Sequence, residues 1–156
     1  MDDPITVGVI ADTHGLLRPQ AVEALAGSAL IIHAGDVGGA DVLPRLRDIA
    51  PTVAVRGNVD TGAWARSLPA TRVVDIGGKT IYVLHALSDL DLDPAAAGFA
   101  AVVSGHTHRP EAEVRNGVLY LNPGSAGPRR FSLPVAVARL QIGVRDLSPQ
   151  ILELQV

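Results

Sequence analysis

The sequence contains no cysteine among its 156 residues. Disulfide bonds and thiolate zinc sites are therefore excluded, because both need cysteine sulfur. Any bound metal ion must be held by carboxylate, imidazole, amide or backbone oxygen ligands. This one absence already narrows the metal chemistry that the chain can support.

Long apolar runs and an excess of basic charge are absent as well. No stretch approaches the roughly 18 consecutive apolar residues that a membrane-spanning helix needs. The residues Met1-Asp2-Asp3-Pro4 lack the basic and apolar blocks of a secretion signal, so we expect a cytoplasmic protein. The net charge of −3 gives no general attraction to a nucleic-acid backbone. Neither duplex nucleic acid nor a membrane is therefore expected as a partner.

No internal repeat, linker or low-complexity block divides the chain, and we expect a single domain over residues 1–156. Apolar residues make up 47% of the sequence and charged residues 19%, a balance that excludes a largely disordered protein. A chain of this length suits one buried core. We therefore look for one functional site.

The first third of the chain alternates apolar strand patterns with amphipathic helix patterns. Such alternation predicts parallel strands joined by right-handed helical crossovers. The predicted strands cover residues 5–11, 29–34 and 52–56, and the predicted helices cover residues 19–26 and 40–49. Pro44 lies inside the second helical pattern and leaves the start of that helix open.

The rest of the chain is dominated by apolar β patterns separated by turn residues. Gly77-Gly78-Lys79 and Asn116-Gly117 have the composition of hairpin turns, and a weak helical pattern covers residues 91–97. The predicted strands cover residues 71–76, 80–85, 100–104, 111–115, 118–121, 135–142 and 150–156. The expected fold class is α/β, of the α+β type, with two packed mixed β-sheets flanked by helices.

Metal-capable side chains recur where the predicted strands end. They are Asp12, His14, Asp36, Asn58, His85, His106 and His108. Carboxyl ends of neighbouring strands meet at one sheet edge, where ligand sites commonly form, and nearby glycines mark sharp bends or close approaches. Seven such ligands exceed what one divalent ion takes while leaving a position for substrate. The sequence therefore predicts two ions that share a bridging carboxylate.

The charge of such a centre indicates what it binds. Two divalent ions bring four positive charges, of which Asp12 and Asp36 cancel two. The two positive charges that remain suit a hydroxide together with a phosphoryl group, so the site is expected to bind an oxyanion. Mn²⁺ is the expected ion, because imidazole and carboxylate ligands without thiolate suit it, and Ni²⁺, Fe²⁺, Zn²⁺ and Co²⁺ are the alternatives.

A family resemblance is carried by five motifs in order along the chain. They are Asp12-Thr13-His14, Gly35-Asp36, Gly57-Asn58, His85 and Gly105-His106-Thr107-His108. Together they resemble the calcineurin-like metallophosphoesterases, above all the small single-domain prokaryotic phosphodiesterase branch, which typically also shows a stretch like Asn122-Pro123-Gly124-Ser125. The resemblance runs from residue 5 to about residue 130 and implies a four-layer metallophosphoesterase sandwich.

The resemblance also implies an activity and a division of roles. It implies a dinuclear metal-dependent phosphodiesterase in which a metal-bridging hydroxide attacks phosphorus in line. A small phosphodiester or phosphomonoester is the implied substrate, and a homo-oligomer is left open. One ion would be held by Asp12, His14, Asp36 and His108. The other would be held by Asp36, Asn58, His85 and His106, with Asp36 as the bridge and with Asn58 and His106 also catalytic.

Two positions depart from the family pattern. Val59 stands where many members have a histidine that protonates the leaving group. The small prokaryotic branch often lacks that histidine too, so this departure limits the substrates rather than excluding catalysis. Ala86 follows His85 where a glycine is common, which makes His85 the least secure ligand. Asp60 is expected to cap the following loop or to contact a ligand histidine, and it is the first candidate for a substitute acid.

Several residues and functions keep a second interpretation. His33 is expected to pack against the sheet or to support Asp36 rather than to bind metal. Arg129 and Arg130 either reach a substrate phosphate or lie solvated at the surface. The main alternative function is a non-catalytic protein-binding scaffold, the use of this fold in the eukaryotic retromer coat, where metal-ligand histidines are lost. A metal-free nucleotide-binding protein is the other, but no Gly-x-Gly-x-x-Gly follows the first strand.

Overall fold

The computed structural model describes residues 3–156, which form ten strands and two α-helices. The strands are β1 (Ile5–Ile10), β2 (Leu30–His33), β3 (Thr52–Ala54), β4 (Thr71–Ile76), β5 (Lys79–Leu84), β6 (Ala101–Val103), β7 (Glu111–Arg115), β8 (Val118–Asn122), β9 (Ala136–Ile142) and β10 (Leu147–Glu153). The helices are α1 (Pro19–Leu25) and α2 (Val42–Arg47), and single 3₁₀ turns cover Ala63–Ala65 and Leu87–Asp89.

The strands form two five-stranded mixed sheets. The first sheet has the order β10-β9-β1-β2-β3, and the second has the order β4-β5-β6-β8-β7. Strands β1, β2 and β3 run parallel, as do β5, β6 and β8, while the remaining neighbours pair antiparallel. Each sheet thus contains three neighbouring parallel strands that all end at one edge, so the loops that follow them leave from the same place.

The main core lies between the two sheets. Val9 and Ile32 from the first sheet meet Ile81 and Val103 from the second in one buried cluster. Alternate residues of the same strands point the other way, where Ile10 and the helices form a second cluster. Full burial of an aliphatic side chain is worth about 1.5–3 kcal/mol, so a register slip of one residue would exchange the two faces at a large cost. The pattern of the strands therefore fixes where each strand ends.

The second sheet is covered on its outer face by irregular chain rather than by a helix. Tyr82 and Leu84 pack there against Leu87 and Phe99. The helix predicted over residues 91–97 is wrong: the chain forms turns there, between Pro94 and Gly98. Only about one helical turn fits before Gly98 adopts a positive φ of 82°, which is too short to repay helix nucleation. The fourth layer of the expected sandwich is thus a packed loop.

Two boundaries also shift in ways that proline explains. Helix α2 begins at Val42, so Pro44 lies in its first turn, where a missing amide is tolerated. Strand β10 begins at Leu147 rather than at residue 150 and includes Pro149, which is compatible with an edge strand.

The predicted fold class, two packed mixed sheets with flanking helices, is confirmed. Between residues 3 and 156, no helix is both long enough and apolar enough to span a membrane.

Candidate metal centre

All seven predicted ligands lie in loops that leave the carboxyl ends of strands. Asp12 and His14 follow β1, Asp36 follows β2, Asn58 follows β3, His85 follows β5, and His106 and His108 follow β6. Three of these strands belong to the first sheet and two to the second. The packing of the two sheets therefore brings donors from five strands to one edge of the molecule.

Most of these residues have an uncommon backbone conformation. Within residues 3–156, seven residues other than glycine have a positive φ, and five of them are predicted ligands. They are Asp12 (55°), His14 (48°), Asp36 (54°), His106 (73°) and His108 (63°). Aspartate, asparagine and histidine tolerate this left-handed region better than most residues, but it still costs free energy. Clustering of such residues is typical of functional sites, where the surrounding fold holds the strained conformation.

The side-chain donors of five residues meet closely. Asp36 Oδ2 lies 3.2 Å from His85 Nε2 and 3.7 Å from His14 Nε2. Asp12 Oδ1 lies 3.6 Å from His108 Nε2 and 3.9 Å from His85 Nε2. Ligands that share one transition-metal ion at bond lengths of about 2.1 Å lie roughly 3 to 3.5 Å apart. The observed separations are thus close to those around a coordinated ion.

The donors fall into two overlapping groups. Asp12, His14 and His108 form one group, and Asp12, Asp36 and His85 form the other, with the donor atoms of each group within 4.8 Å of one another. Four buried atoms in the cluster have no hydrogen-bond partner: Asp12 Oδ1, His14 Nε2, His85 Nε2 and His108 Nδ1. Buried polar atoms of this kind are normally satisfied, so this donor set fits divalent cations of the transition series.

The second oxygen of each carboxylate accepts a hydrogen bond from the backbone of another loop. Asp12 Oδ2 accepts the backbone amide of His106 at 3.1 Å, and Asp36 Oδ1 accepts the amide of Val59 at 3.0 Å. These bonds fix the carboxylate planes, and they connect the loops after β6 and β3 to the two aspartates. The remaining oxygens therefore point at the histidines.

The other two predicted ligands lie at the rim of the cluster. The His106 ring packs edge-on against the His85 ring, with centroids 5.2 Å apart, and His106 is exposed. Asn58 is exposed as well, and it lines an open cavity of about 370 Å³ together with His85 and Arg56. Five predicted ligands thus form the tight cluster, while Asn58 and His106 face solvent beside it.

The surroundings shift the pKa values of the two aspartates in opposite directions. Burial raises the pKa of the Asp12 carboxyl from 3.8 to about 7, although His85 opposes the shift and the charge of Asp36 adds to it. Burial also tends to raise the pKa of Asp36, but the adjacent His85 ring and the hydrogen bond from the Val59 amide outweigh it and hold the pKa at about 2. Two like charges this close need added positive charge, which divalent ions provide.

Burial and neighbouring charges also shift the pKa values of the histidines in the cluster. Burial tends to lower the pKa of His85, but its contacts with Asp36 and the Ala34 carbonyl raise it above 6.5. Burial lowers the pKa of His108 to about 4, and the charge of Arg130 adds to that effect. The charge of Arg130 also lowers the pKa values of Asp12 and His14. The Arg130 guanidinium is therefore close enough to influence three of the donors.

His33 lies directly beneath the cluster and uses both ring nitrogens. Its Nδ1 accepts the amide of Gly35 at 3.1 Å. Its Nε2 therefore carries the proton that is donated to Thr13 Oγ1 at 3.0 Å, and Thr13 donates in turn to the Val37 carbonyl at 2.7 Å. Burial lowers the pKa of His33 to about 3, so it stays neutral. This chain of bonds braces the loops after β1 and β2 against each other.

Asp60 performs a similar role from the third loop. Its two oxygens accept the amides of Val37, Gly38 and Gly57 at 2.9–3.1 Å. The expectation that Asp60 caps its own following loop or contacts a ligand histidine is therefore wrong. Because Asp60 is buried and fully engaged, it is also a poor candidate for a leaving-group acid. Its sequence position gives no sign of this role, because two of the three amides, those of Val37 and Gly38, come from the distant loop after β2.

The stretch after β8 braces the cluster from the second sheet. Asn122 donates to the Gly105 carbonyl at 3.0 Å and to Thr107 Oγ1 at 3.1 Å, and so supports the loop that carries two predicted ligands. Ser125 donates to the backbone carbonyl of Asp12 at 3.0 Å. The family motif signalled this stretch, whereas the individual contacts required the fold.

Fold and cluster together define the class of the protein, a hydrolase with metal-binding residues at the strand ends of an α/β sandwich. The model of the calcineurin-like phosphoesterase superfamily domain matches residues 5–144. A probable metallophosphoesterase of Methanocaldococcus jannaschii is 36% identical over 132 residues, which cover 76% of this chain and 67% of the relative. The chain therefore belongs to the calcineurin-like phosphoesterase superfamily, as its motifs predicted. It is a metal-dependent phosphoesterase.

Solved structures show the same fold. An archaeal phosphodiesterase has a TM-score of 0.78 at 22% identity, and the match covers 95% of this chain and all (100%) of that chain. Vps29 from Chaetomium thermophilum has a TM-score of 0.83 at 20% identity, covering 97% of this chain and 89% of that chain. At these identities both likenesses show the fold alone.

The close approach of the β2 and β3 loops generates a prediction about Gly57. A Cβ at this position would lie 2.2 Å from both the amide and Oδ1 of Asp36. We expect Gly57→Ala to displace Asp36 and to weaken Mn²⁺ binding about tenfold or more, the usual scale for losing support of a ligand. Gly39→Ala is the control, since its Cβ would meet nothing nearer than 3.7 Å. Calorimetric titration of both variants checks this, and equal affinities would contradict it.

His33 generates a prediction about pH. Its pKa lies near 3 in the folded protein against 6.5 ordinarily, so its stabilising contribution is complete above pH 6.5 and is lost as the pH falls towards 3. Between pH 7 and pH 5 the wild type should lose about 2 kcal/mol of unfolding free energy through this residue. His33→Gln has no titrating group at this position. The difference in unfolding free energy between the wild type and this variant should therefore be smaller at pH 5 than at pH 7 by the same amount. Urea unfolding in chelator at both pH values measures the gap, and an unchanged gap would refute the assignment.

Proposed function

We propose that this chain is a dinuclear metal-dependent phosphodiesterase that hydrolyses small phosphodiesters. The observation that carries the proposal is the pair of overlapping donor groups, which share the buried Asp12 and one of which contains Asp36. A single ion would leave some of these donors unused, whereas two ions employ them all. The archaeal phosphodiesterase with the same fold supports the choice of a diester.

In the proposed arrangement Asp36 bridges the two ions. One ion is held by Asp12, His14, Asp36 and His108, and the other by Asp36, Asn58, His85 and His106. The position of Asp36 Oδ2 supports the bridge, because it lies 3.7 Å from His14 Nε2 and 3.2 Å from His85 Nε2, which serve different ions. Asp12 also reaches His85, at 3.9 Å, so both carboxylates stand between the two halves of the centre.

The proposed reaction is hydrolysis by water. When bound, the two ions supply Lewis-acid stabilisation of the phosphoryl oxygens and allow water to act as a nucleophile near neutral pH. The P–O bond to one ester oxygen breaks, water contributes its hydroxyl group to phosphorus, and a proton goes to the departing oxygen. Asn58 and His106 are the proposed catalytic residues, because they are the two predicted ligands that are exposed and therefore able to contact substrate.

Manganese is the proposed native ion. The donors are carboxylate oxygens, an amide and imidazole nitrogens without thiolate, a set that suits Mn²⁺. Nickel, iron, zinc and cobalt ions fit the same donors, and the natural abundance of each ion decides among them as much as affinity does.

The scaffold alternative has the support of the fold likeness to Vps29. A scaffold that has abandoned catalysis has no need to keep buried donors in strained backbone conformations. Here Asp12, Asp36 and His85 are buried and aimed at one another. The cost of that arrangement favours the hydrolase.

Metal removal tests the proposal directly. Protein dialysed against chelator should lose hydrolysis of bis(p-nitrophenyl) phosphate, because no side chain of the cluster replaces the ions. Mn²⁺ should restore it with a stoichiometry of about two ions per chain. Full activity in excess chelator, with metal analysis showing an empty protein, would reject a metal-dependent mechanism.

The proposed bridge gives a sharper version of this test. Asp36→Asn should reduce bound metal and activity about a hundredfold or more, since an amide neither bridges nor offsets two divalent charges. Asp75→Asn is the matched control, because Asp75 is exposed on β4 and its carboxylate accepts only the Thr80 hydroxyl. Retention of both ions by Asp36→Asn would show that another group bridges them.

The absence of a leaving-group acid has a kinetic consequence. Positioned acids typically contribute about 10²- to 10⁴-fold to a rate. Val59 has no proton to donate, and Asp60 is occupied by three amides. We expect log kcat/KM to fall steeply as leaving-group pKa rises across a series of diesters at saturating metal. A flat plot, with single-turnover data showing that chemistry limits the rate, would reveal an acid elsewhere in the site.

A further inference from the structure

Three exposed apolar side chains lie in the ligand loops or in a segment that is anchored on one of them. These residues, which we call the apolar rim, are Leu16, Val59 and Phe131, with exposures of 39%, 47% and 94%. Leu16 follows His14 by two residues, and its amide donates to the Thr13 carbonyl at 2.9 Å. Val59 follows Asn58, and its amide binds Asp36. An otherwise highly charged centre thus has apolar groups at its opening.

The segment that carries Phe131 is anchored along the first ligand loop. The amide of Ala126 donates to the Ala11 carbonyl at 3.1 Å. Gly127 packs so closely on the backbone of Thr13 that an added Cβ would lie 2.2 Å from its carbonyl oxygen. Arg18 donates to the Gly127 carbonyl at 3.3 Å. These contacts hold the chain beside the donor cluster just before residues 129–131.

Arg130 and Phe131 follow Gly127 by three and four residues, so they continue from a segment that packs on the backbone of Thr13. The positive charge of Arg130 lowers the pKa values of Asp12, His14 and His108 as well. Neither Arg129 nor Arg130 forms an ion pair with a carboxylate among the residues that the structure describes. An unpaired guanidinium beside a phosphate-binding centre is suited to contact phosphoryl oxygens.

The packing of the fold does not account for an aromatic side chain at position 131. The other aromatic residues, Trp64, Tyr82, Phe99 and Tyr120, are all buried or half-buried. Phe131 is almost fully exposed and has a φ of 53°, which is unusual for a bulky side chain. Its ring contributes no core packing, and its backbone is strained. A side chain of this kind, four residues after a segment that packs on a ligand loop, points to contact with a ligand.

We propose that Phe131 stacks on a planar ring carried by one ester arm of the substrate, while Arg130 contacts the phosphate. The substrate class is then a phosphodiester with an aryl or nucleobase group, and Leu16 and Val59 supply further apolar surface. This inference rests on the phosphodiesterase function proposed above and names the substrate class of that same site. Stacking on aromatic side chains tolerates different rings, because every planar ring offers a π face.

The test compares ring-bearing and ring-free substrates in Phe131→Ala, Phe131→Tyr and Val114→Ala. Val114 is the matched control, since it is 67% exposed on β7 and lies outside the site. The substrates are an aryl diester, a dinucleotide, and a dialkyl diester with a leaving group as acidic as the aryl one. Phe131→Ala should lower kcat/KM about tenfold for the ring-bearing diesters, mainly through KM, and leave the dialkyl diester within about twofold. Phe131→Tyr should retain the wild-type preference.

The two ring-bearing substrates separate the sources of the ring. A loss confined to the dinucleotide assigns a nucleobase, and a loss confined to the aryl diester assigns an aryl group. Equal losses on all three substrates, or no loss on any, would overturn the proposal. The second result is also what a role of Phe131 in binding a protein partner would give.

A binding measurement keeps this test independent of turnover. Phenyl phosphate and methyl phosphate are titrated into metal-loaded wild type and Phe131→Ala by calorimetry. The wild type should bind phenyl phosphate about tenfold more tightly, and Phe131→Ala should lose that preference. If the wild type hydrolyses none of the diesters, the proposed function fails while this preference still decides the role of Phe131. Equal affinity of the wild type for both phosphates would overturn the inference even in an active enzyme.

Discussion

The left-handed backbone of the ligand loops is the constraint on which the rest of the site depends. A strand that ends at a sheet edge carries its chain away from that edge, so a side chain within the next five residues reaches the common centre only if the chain turns back. Asp12, His14, Asp36, His106 and His108 make this reversal with a positive φ. The surrounding loops must then approach so closely that Gly57 has no room for a Cβ. Strain and close packing are thus two aspects of one geometric requirement.

That geometry is maintained by polar groups that bind no ion themselves. His33, Thr13 and Val37 form a continuous hydrogen-bonded chain under the first two loops, and Asp60 gathers amides from the second and third. Their hydrogen bonds are buried, where losing one partner costs more than a surface bond would. The free energy stored in the strained ligands is therefore balanced by a buried network rather than by the ligands.

Sequence reasoning located the donors because strand ends are visible in apolar patterns and because few residue types bind metal. It placed Asp36 and His85 at strand ends correctly, although 49 positions separate them. It failed where tertiary contacts decide the outcome. The helical pattern at 91–97 yielded to a packed turn, and the acceptor role of Asp60 depends on amides from loops more than 20 residues away. Exposure of Phe131 was equally invisible, since an isolated phenylalanine in a sequence normally indicates core.

The contrast between the centre and its rim bears on how such a fold changes substrates. Donors at strand ends are positioned by the cores on both faces of the sheets, where Ile32 and Ile81 are packed. Arg130 and Phe131 lie on a loop that is held at its start by Ala126 and Gly127 and at its end by the pairing of Val135 with Ser125. Substitutions there leave the strands and the network under His33 untouched. The position of the centre is therefore set by the fold, whereas the proposed selection of the ester arm depends on a few exposed residues that are free to vary.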